Sequence, residues 1–187
     1  MVNHPCRTSI RLAGATALLF LGGCGGGPSV RTHYDPAGTS ISTGYQSFAW
    51  LAPSPGAPPR TAPEGLEATV LLATESALVT KGYSMIPEAP HFRIGWHYTT
   101  EPTDITALYH YYSYTWGRWF PGGGVNFSGA YLTELPAGTL VLDAVDASTN
   151  ELTWRSIAQV ELGDDPGGRA RQLTETINRM IARFPRP

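Results

Sequence analysis

From Val30 onward the chain switches between two-residue and 3.6-residue hydrophobic periods, and the switches mark its elements. Residues 30–35 set Val30, Thr32 and Tyr34 against Arg31, His33 and Asp35, which predicts a first strand ended by Pro36-Ala37-Gly38. Residues 45–50, Tyr-Gln-Ser-Phe-Ala-Trp, predict a second strand rich in aromatic β-formers. The proline-rich segment 52–63 holds too few apolar groups to pack as an element. A helix is predicted over 64–81. Pro63 and Glu64 suit its start, Leu66, Val70, Ala73 and Ala77 recur at helical spacing, and Lys81-Gly82 supplies the stop. His91–Tyr98 alternates again, with Phe92, Ile94, Trp96 and Tyr98 on one face, as in a half-buried strand. Residues 138–145 and 152–162 predict a hairpin around the turn residues Ala147-Ser148-Thr149-Asn150. The last helix starts with Asp164 or Asp165 as cap and Pro166 in its first turn. It turns Leu173, Ile177, Met180, Ile181 and Phe184 to one side. Only residues 101–137 lack a period; aromatics and glycines dominate there, and a β-meander or a mobile loop is expected. The order predicts an α+β fold, an antiparallel sheet with two helices packed on one face.

Ahead of Val30 the pattern changes in kind. The apolar run Leu12–Gly23 is too short to span a bilayer, which takes about 20 apolar residues, but suits the roughly 7–15 of a signal sequence. Arg7 and Arg11 precede it with no acidic residue, and small residues follow. A buried helix is the rival reading. It fails because the glycines within 22–27 would break the helix and the run has no polar face. Residues 1–23 are therefore read as a signal peptide, 24–29 as a short tether and 30–187 as a single periplasmic α+β domain.

Leu21-Gly22-Gly23-Cys24 resembles the lipobox of bacterial lipoproteins. The resemblance implies that Cys24 becomes the first residue and carries a thioether-linked diacylglycerol and an N-acyl chain. One chain holds only marginally, at about 0.8 kcal/mol per buried CH₂, so several chains are needed for a stable anchor. Gly25, rather than Asp, follows the cysteine, which in that pattern favours the inner leaflet of the outer membrane. The expected partner is thus the lipid bilayer, engaged through acylated Cys24.

Composition narrows the picture further. Removing residues 1–23 from the 187-residue chain leaves 164 residues, enough for one domain with a core. Two arginines leave with the signal, so the formal charge moves from −2 to −4. A mildly acidic chain gives no electrostatic case for nucleic acid. The two cysteines are Cys6, inside the signal, and Cys24, so the mature chain is expected to have no free thiol, disulfide or cysteine metal site. With 21 glycines and 16 prolines, long loops are expected.

A larger resemblance rests on an ordered set of short motifs. After the lipobox come Tyr34-Asp35-Pro36, Phe48-Ala49-Trp50, Lys81-Gly82-Tyr83 and Gly138-Thr139-Leu140-Val141. Asp146 in a turn, Leu152-Thr153-Trp154-Arg155 and a terminal Phe184-Pro185 complete it. This set resembles the domain-of-unknown-function 4136 family of bacterial outer-membrane lipoproteins. Family members often have a clearer acidic-apolar lead into the middle strand, where this chain has Glu88-Ala89-Pro90-His91-Phe92. The resemblance implies an anchored periplasmic α+β domain and carries over no catalytic residues.

No catalytic constellation stands out. His91 and His97 share a strand face but lie about 20 Å apart along it, too far for one metal ion, and nothing in the spacing of His33 or His110 joins them. Asp143 and Asp146 would point to opposite sides of a strand, so turn and surface roles are expected. Ser128 lacks a nucleophile elbow and Gly122-Gly123-Gly124 lacks the lysine of a phosphate loop. No metal and no cofactor is expected. The candidate interaction surface is the aromatic stretch Tyr109, Tyr111, Tyr112, Tyr114, Trp116, Trp119 and Phe120, whose polar-tipped rings suit a protein or polymer partner. The rival use of the same rings is to cover the sheet. The expected function is a non-catalytic envelope lipoprotein that binds an envelope protein or polymer. The alternatives are a periplasmic hydrolase and a purely structural domain.

Overall fold

The computed structural model of the chain describes residues 30–34, 44–105, 107, 111–112, 125–127, 130–132, 134–160 and 162–187. The signal sequence, Cys24, the tether, and Tyr109, Tyr114, Trp116, Trp119 and Phe120 lie outside the described residues, as do Ser128 and Gly122–Gly124. The strands are β1 (Val30–Tyr34), β2 (Ser47–Trp50), β3 (Ser84–Met85), β4 (Phe92–Tyr98), β5 (Thr103–Asp104), β6 (Val125–Phe127), β7 (Ala130–Leu132), β8 (Glu134–Leu135), β9 (Thr139–Asp146) and β10 (Leu152–Gln159). The helices are α1 (Leu66–Lys81) and α2 (Pro166–Ala182).

Six strands form the main sheet in the order β1-β10-β9-β4-β2-β3. The β9–β10 hairpin sits at its centre, and β4 and β1 pair antiparallel on its two sides. The body of the sheet is antiparallel, as the pattern predicts, and one edge is mixed. Strand β2 runs parallel to both β3 and β4, because α1 carries the chain back across the sheet before either is laid down. Periodicity reports which face a residue takes, not which neighbour its strand chooses. The aperiodic 101–137 region contributes two small antiparallel pairs, β5 with β8 and β6 with β7.

The main core lies between the sheet and both helices. Phe92, Ile94 and Trp96 of β4, Leu140, Leu142 and Ala144 of β9, and Trp154 and Ala158 of β10 meet Leu66, Val70 and Leu78 of α1 and Leu173, Ile177 and Met180 of α2. The α2 face is the one the spacing predicts. Asp165 caps this helix, accepting from Gly168 N at 2.5 Å, and Pro166 follows it.

One irregularity lets the hairpin serve both faces of the sheet. The register shifts between Leu152 and Trp154. Two residues that regular alternation would put on one side are thereby split, Trp154 into the main core and Leu152 onto the opposite face.

Candidate functional site

Two of the motifs that carry the family resemblance, Lys81-Gly82-Tyr83 and Phe184-Pro185, meet in space as fasteners. Gly82 ends α1 with φ 108°, a conformation that suits glycine, and the N–H groups of Gly82 and Tyr83 donate to Val79 and Leu78. Lys81 Nζ reaches across to the end of α2 and donates to the Ile181 and Ala182 carbonyls at 2.8 Å each. The Tyr83 hydroxyl donates to Pro185 O at 3.0 Å, and its ring packs edge-on against Phe184. Phe184 in turn meets Phe92 and Trp154. The Lys-Gly-Tyr and Phe-Pro motifs therefore tie the C-terminal ends of the two helices together. A groove of about 570 Å³ beside them holds Lys81 and Arg186. Cations belong there, because both helix dipoles end negative at that point. Burial, and then Arg186, lower the Lys81 pKa.

A second cluster closes the β9–β10 turn. Asp146 accepts from the Tyr45 hydroxyl at 2.6 Å, from Ser148 N and Oγ at 2.8 and 2.6 Å, and from Thr149 N at 2.8 Å. Burial pushes its pKa up, but the hydrogen bonds from Ser148, Tyr45 and Thr149 outweigh it and hold the carboxyl below its usual value. Beside it, Ser47 Oγ lies 2.8 Å from His91 Nδ1. Ser47 is only 3% exposed, and its hydroxyl also accepts from His91 N, so this pair stitches β2 to the chain entering β4 rather than presenting a hydroxyl to solvent. The turn role expected of Asp146 holds.

The outer face of the sheet, opposite the helices, departs most from the pattern. Arg93, Gly95 and His97 should face solvent on a half-buried β4. Instead the chain after β2 and the Tyr111–Tyr112 segment cover that face. Leu51, Tyr111, Tyr112, Val145 and Leu152 form one apolar cluster and Ile105, Leu135, Val141 and Ile157 another. Gly95 makes this possible: a Cβ there would meet Tyr112 Cζ at 3.2 Å and Leu51 Cδ2 at 3.3 Å. The proline-rich segment forms no helix or strand, as expected, but lies against this face; Ser54 N donates to Tyr111 O, and Ala57 joins the first apolar cluster.

Tyr111 and Tyr112 are the two described members of the predicted aromatic surface, and both are buried. For them the expectation of exposed interaction rings is corrected. Strand β2 parts from β4 after Leu51 N donates to Ile94 O, which leaves the next β4 backbone groups on that edge without a strand partner. Tyr112 Oη fills the gap. It accepts from Trp96 N at 2.9 Å and donates to Trp96 O. Arg60 completes the lock. Its Nη2 donates to Tyr112 Oη at 2.9 Å, its guanidinium lies 4.4 Å from the Trp96 ring centre, and Nη1 meets Glu67 at 3.2 Å. Burial, opposed by Arg60, pushes the Tyr112 phenol up to about 12, so it stays a neutral donor and acceptor.

Between the two outer clusters lies a line of polar groups. Arg155 Nε and Nη2 grip Asp143 Oδ1 and Oδ2 at 2.6 and 2.7 Å, with both side chains essentially without solvent exposure. The surface role expected of Asp143 is thus corrected: it is buried in an ion pair because the outer face is covered. His97 sits beside this pair and edge-on to Tyr111, on the wall of an open cavity of about 480 Å³ lined also by Ser54, Pro55, Ala57 and Pro58. Among the described residues no group of three or more His, Cys, Asp or Glu side chains is placed to hold a metal ion. The sequence marks Arg155 only as the end of the Leu152-Thr153-Trp154-Arg155 motif and does not mark Arg60. For Arg155 a signal existed, since the hairpin register puts it directly opposite Asp143. For Arg60 there was none.

A family profile and several solved structures are similar to this chain. The profile of DUF4136, a domain of unknown function, matches residues 30–186. A crystal structure of a DUF4136 family protein from Bacteroides thetaiotaomicron is 19% identical with a TM-score of 0.54, covering 83% of this chain and 94% of that one. The PelC dodecamer from Paraburkholderia phytofirmans is 11% identical with a TM-score of 0.46, covering 83% of this chain and 95% of that one. A PDZ domain protein from Parabacteroides distasonis is 14% identical with a TM-score of 0.47, covering 85% of this chain and 36% of that one. A comparison with curated proteins finds no match.

Proposed function

This chain belongs to the DUF4136 family, and from that premise we propose that it is a lipid-anchored lipoprotein of the bacterial outer membrane, facing the periplasm and acting as a non-catalytic interaction module. The observation that carries the anchor is Leu21-Gly22-Gly23-Cys24 at the end of a short apolar run with arginines ahead of it. The matched family region starts at residue 30, six residues after Cys24, which suits a folded domain held on a short acylated tether. The non-catalytic role is supported by how the polar groups are used. Asp143, Asp146, Tyr45, Ser47 and Tyr112 are each engaged in bonds that hold strands, turns or the outer cover together.

Interaction is assigned to the rings beyond the buried pair: Tyr109, Tyr114, Trp116, Trp119 and Phe120. Tyr111 and Tyr112 are themselves held against β4 and are therefore not counted among the interacting rings. The direct test is the mass of the mature N-terminal peptide. It should begin at Cys24 and carry a diacylglyceryl and an acyl group; a mature chain with a free Cys24 thiol, or one beginning elsewhere, contradicts the proposal. For the interaction role, Trp116→Ser with Trp119→Ser should abolish partner capture from crosslinked envelopes while the fold melts as before. Unchanged capture would place the surface elsewhere.

A further inference from the structure

Among the described residues of the covered face, His97 carries a buried ring nitrogen, Nδ1, without a hydrogen bond. The described groups around it come from several elements. Strand β9 supplies Asp143, β10 supplies Arg155, the chain after β2 supplies Arg60 and Ser54, and the covering segment supplies the Tyr111 ring. Asp143 is the only acid among them, and both of its oxygens are gripped by Arg155.

A neutral imidazole suits this setting. With its proton on Nε2, the buried Nδ1 is a bare acceptor. Taking up a second proton makes the buried Nδ1 an N–H donor with no acceptor, and it adds a cation near two guanidinium groups. The groups that could relieve both problems are those that cover the ring. Arg60 and Tyr111 belong to the cover, whereas Arg155 is fixed within the sheet. Tyr112, which shares Arg60 as a partner and packs edge-on to Tyr111, would follow them.

We infer that His97 is a proton-sensitive latch: its protonation in mild acid releases the cover formed by Arg60, Tyr111 and Tyr112 from β4, exposing the Trp96 edge of the sheet. The inference does not depend on the lipid anchor. Burial, together with Arg60 and Arg155, lowers the His97 pKa, while Asp143 acts in the opposite sense. The folded state thus binds the proton less readily than the unfolded or opened one. The packed cover is favoured above the ordinary histidine value of about 6.5 and weakened as pH falls below it.

Trp96 N–H reports on the latch directly, since it donates to Tyr112 Oη. Residue-resolved hydrogen exchange on the full-length chain in detergent, corrected for the intrinsic pH dependence of exchange, is the test. Between about pH 7.5 and about pH 5, protection at Trp96 should fall about tenfold or more. Protection at Val70 in α1 should hold, and His97→Gln should abolish the fall. Constant protection at Trp96, a parallel loss at Val70, or a fall that persists in His97→Gln overturns the inference. If His97→Gln does not fold, the imidazole titration of the parent by NMR decides. His97 must take up its proton over the pH range in which Trp96 loses protection, and an imidazole that stays neutral across that range overturns the latch.

Discussion

Asp143 and Arg155 show how much a single residue's meaning depends on what covers it. In the strand pattern both occupy outer-face positions, where charged side chains are ordinary. Under the cover they become a desolvated, bidentate pair. Breaking such a pair strands one buried charge, so Asp143→Asn or Arg155→Met should each lower unfolding free energy by about 3–5 kcal/mol. Replacing both with apolar residues should restore much of the loss. Denaturant melts of the two singles and the double check this; singles within about 0.5 kcal/mol of the parent, the range of surface substitutions, would mean that the face is not closed. Asp146 adds a pH dependence of known sign. Its folded pKa lies below the unfolded value, so its contribution is fully present above about pH 4 and is lost as pH falls through the folded value. Asp146→Asn should flatten the acid limb of a stability–pH profile, and an unaltered limb would contradict the turn network.

At the scale of elements, the sequence was most legible where periodicity and end signals agree. The Lys81-Gly82 stop, the Pro166 start, the hairpin turn and the apolar face of α2 all follow from local rules, and each lies where the pattern puts it. Leu173→Ala or Ile177→Ala should therefore cost about 2–5 kcal/mol in unfolding experiments, because both side chains are buried between α2 and the sheet. A loss under about 0.5 kcal/mol for both would show α2 undocked. Less legible was everything that depends on distant partners. The parallel setting of β2 depends on the path of α1, not on the residues of β2. The hydroxyl of Tyr112 stands in for a missing strand at Trp96, and nothing in the aromatic run distinguishes it from its neighbours. The covered state of Gly95 and His97 depends on a segment with no period of its own.

The whole molecule is a sheet with two unlike faces. One carries the helices and the large core. The other carries a smaller cover with a buried ionic line beneath it. No described helix is long and apolar enough to cross a membrane. The proposed attachment runs through Cys24 and a tether of six residues, 24–29. At about 3.3–3.6 Å per residue, that tether spans at most about 20 Å and keeps the domain beside the bilayer. Envelope fractionation of a Cys24→Ser variant against the parent tests this most directly. The account predicts that the parent sediments with outer membranes, while the variant carries no lipid and is either left unprocessed or released as a soluble periplasmic chain. A variant processed like the parent and still bound to the outer membrane would contradict it.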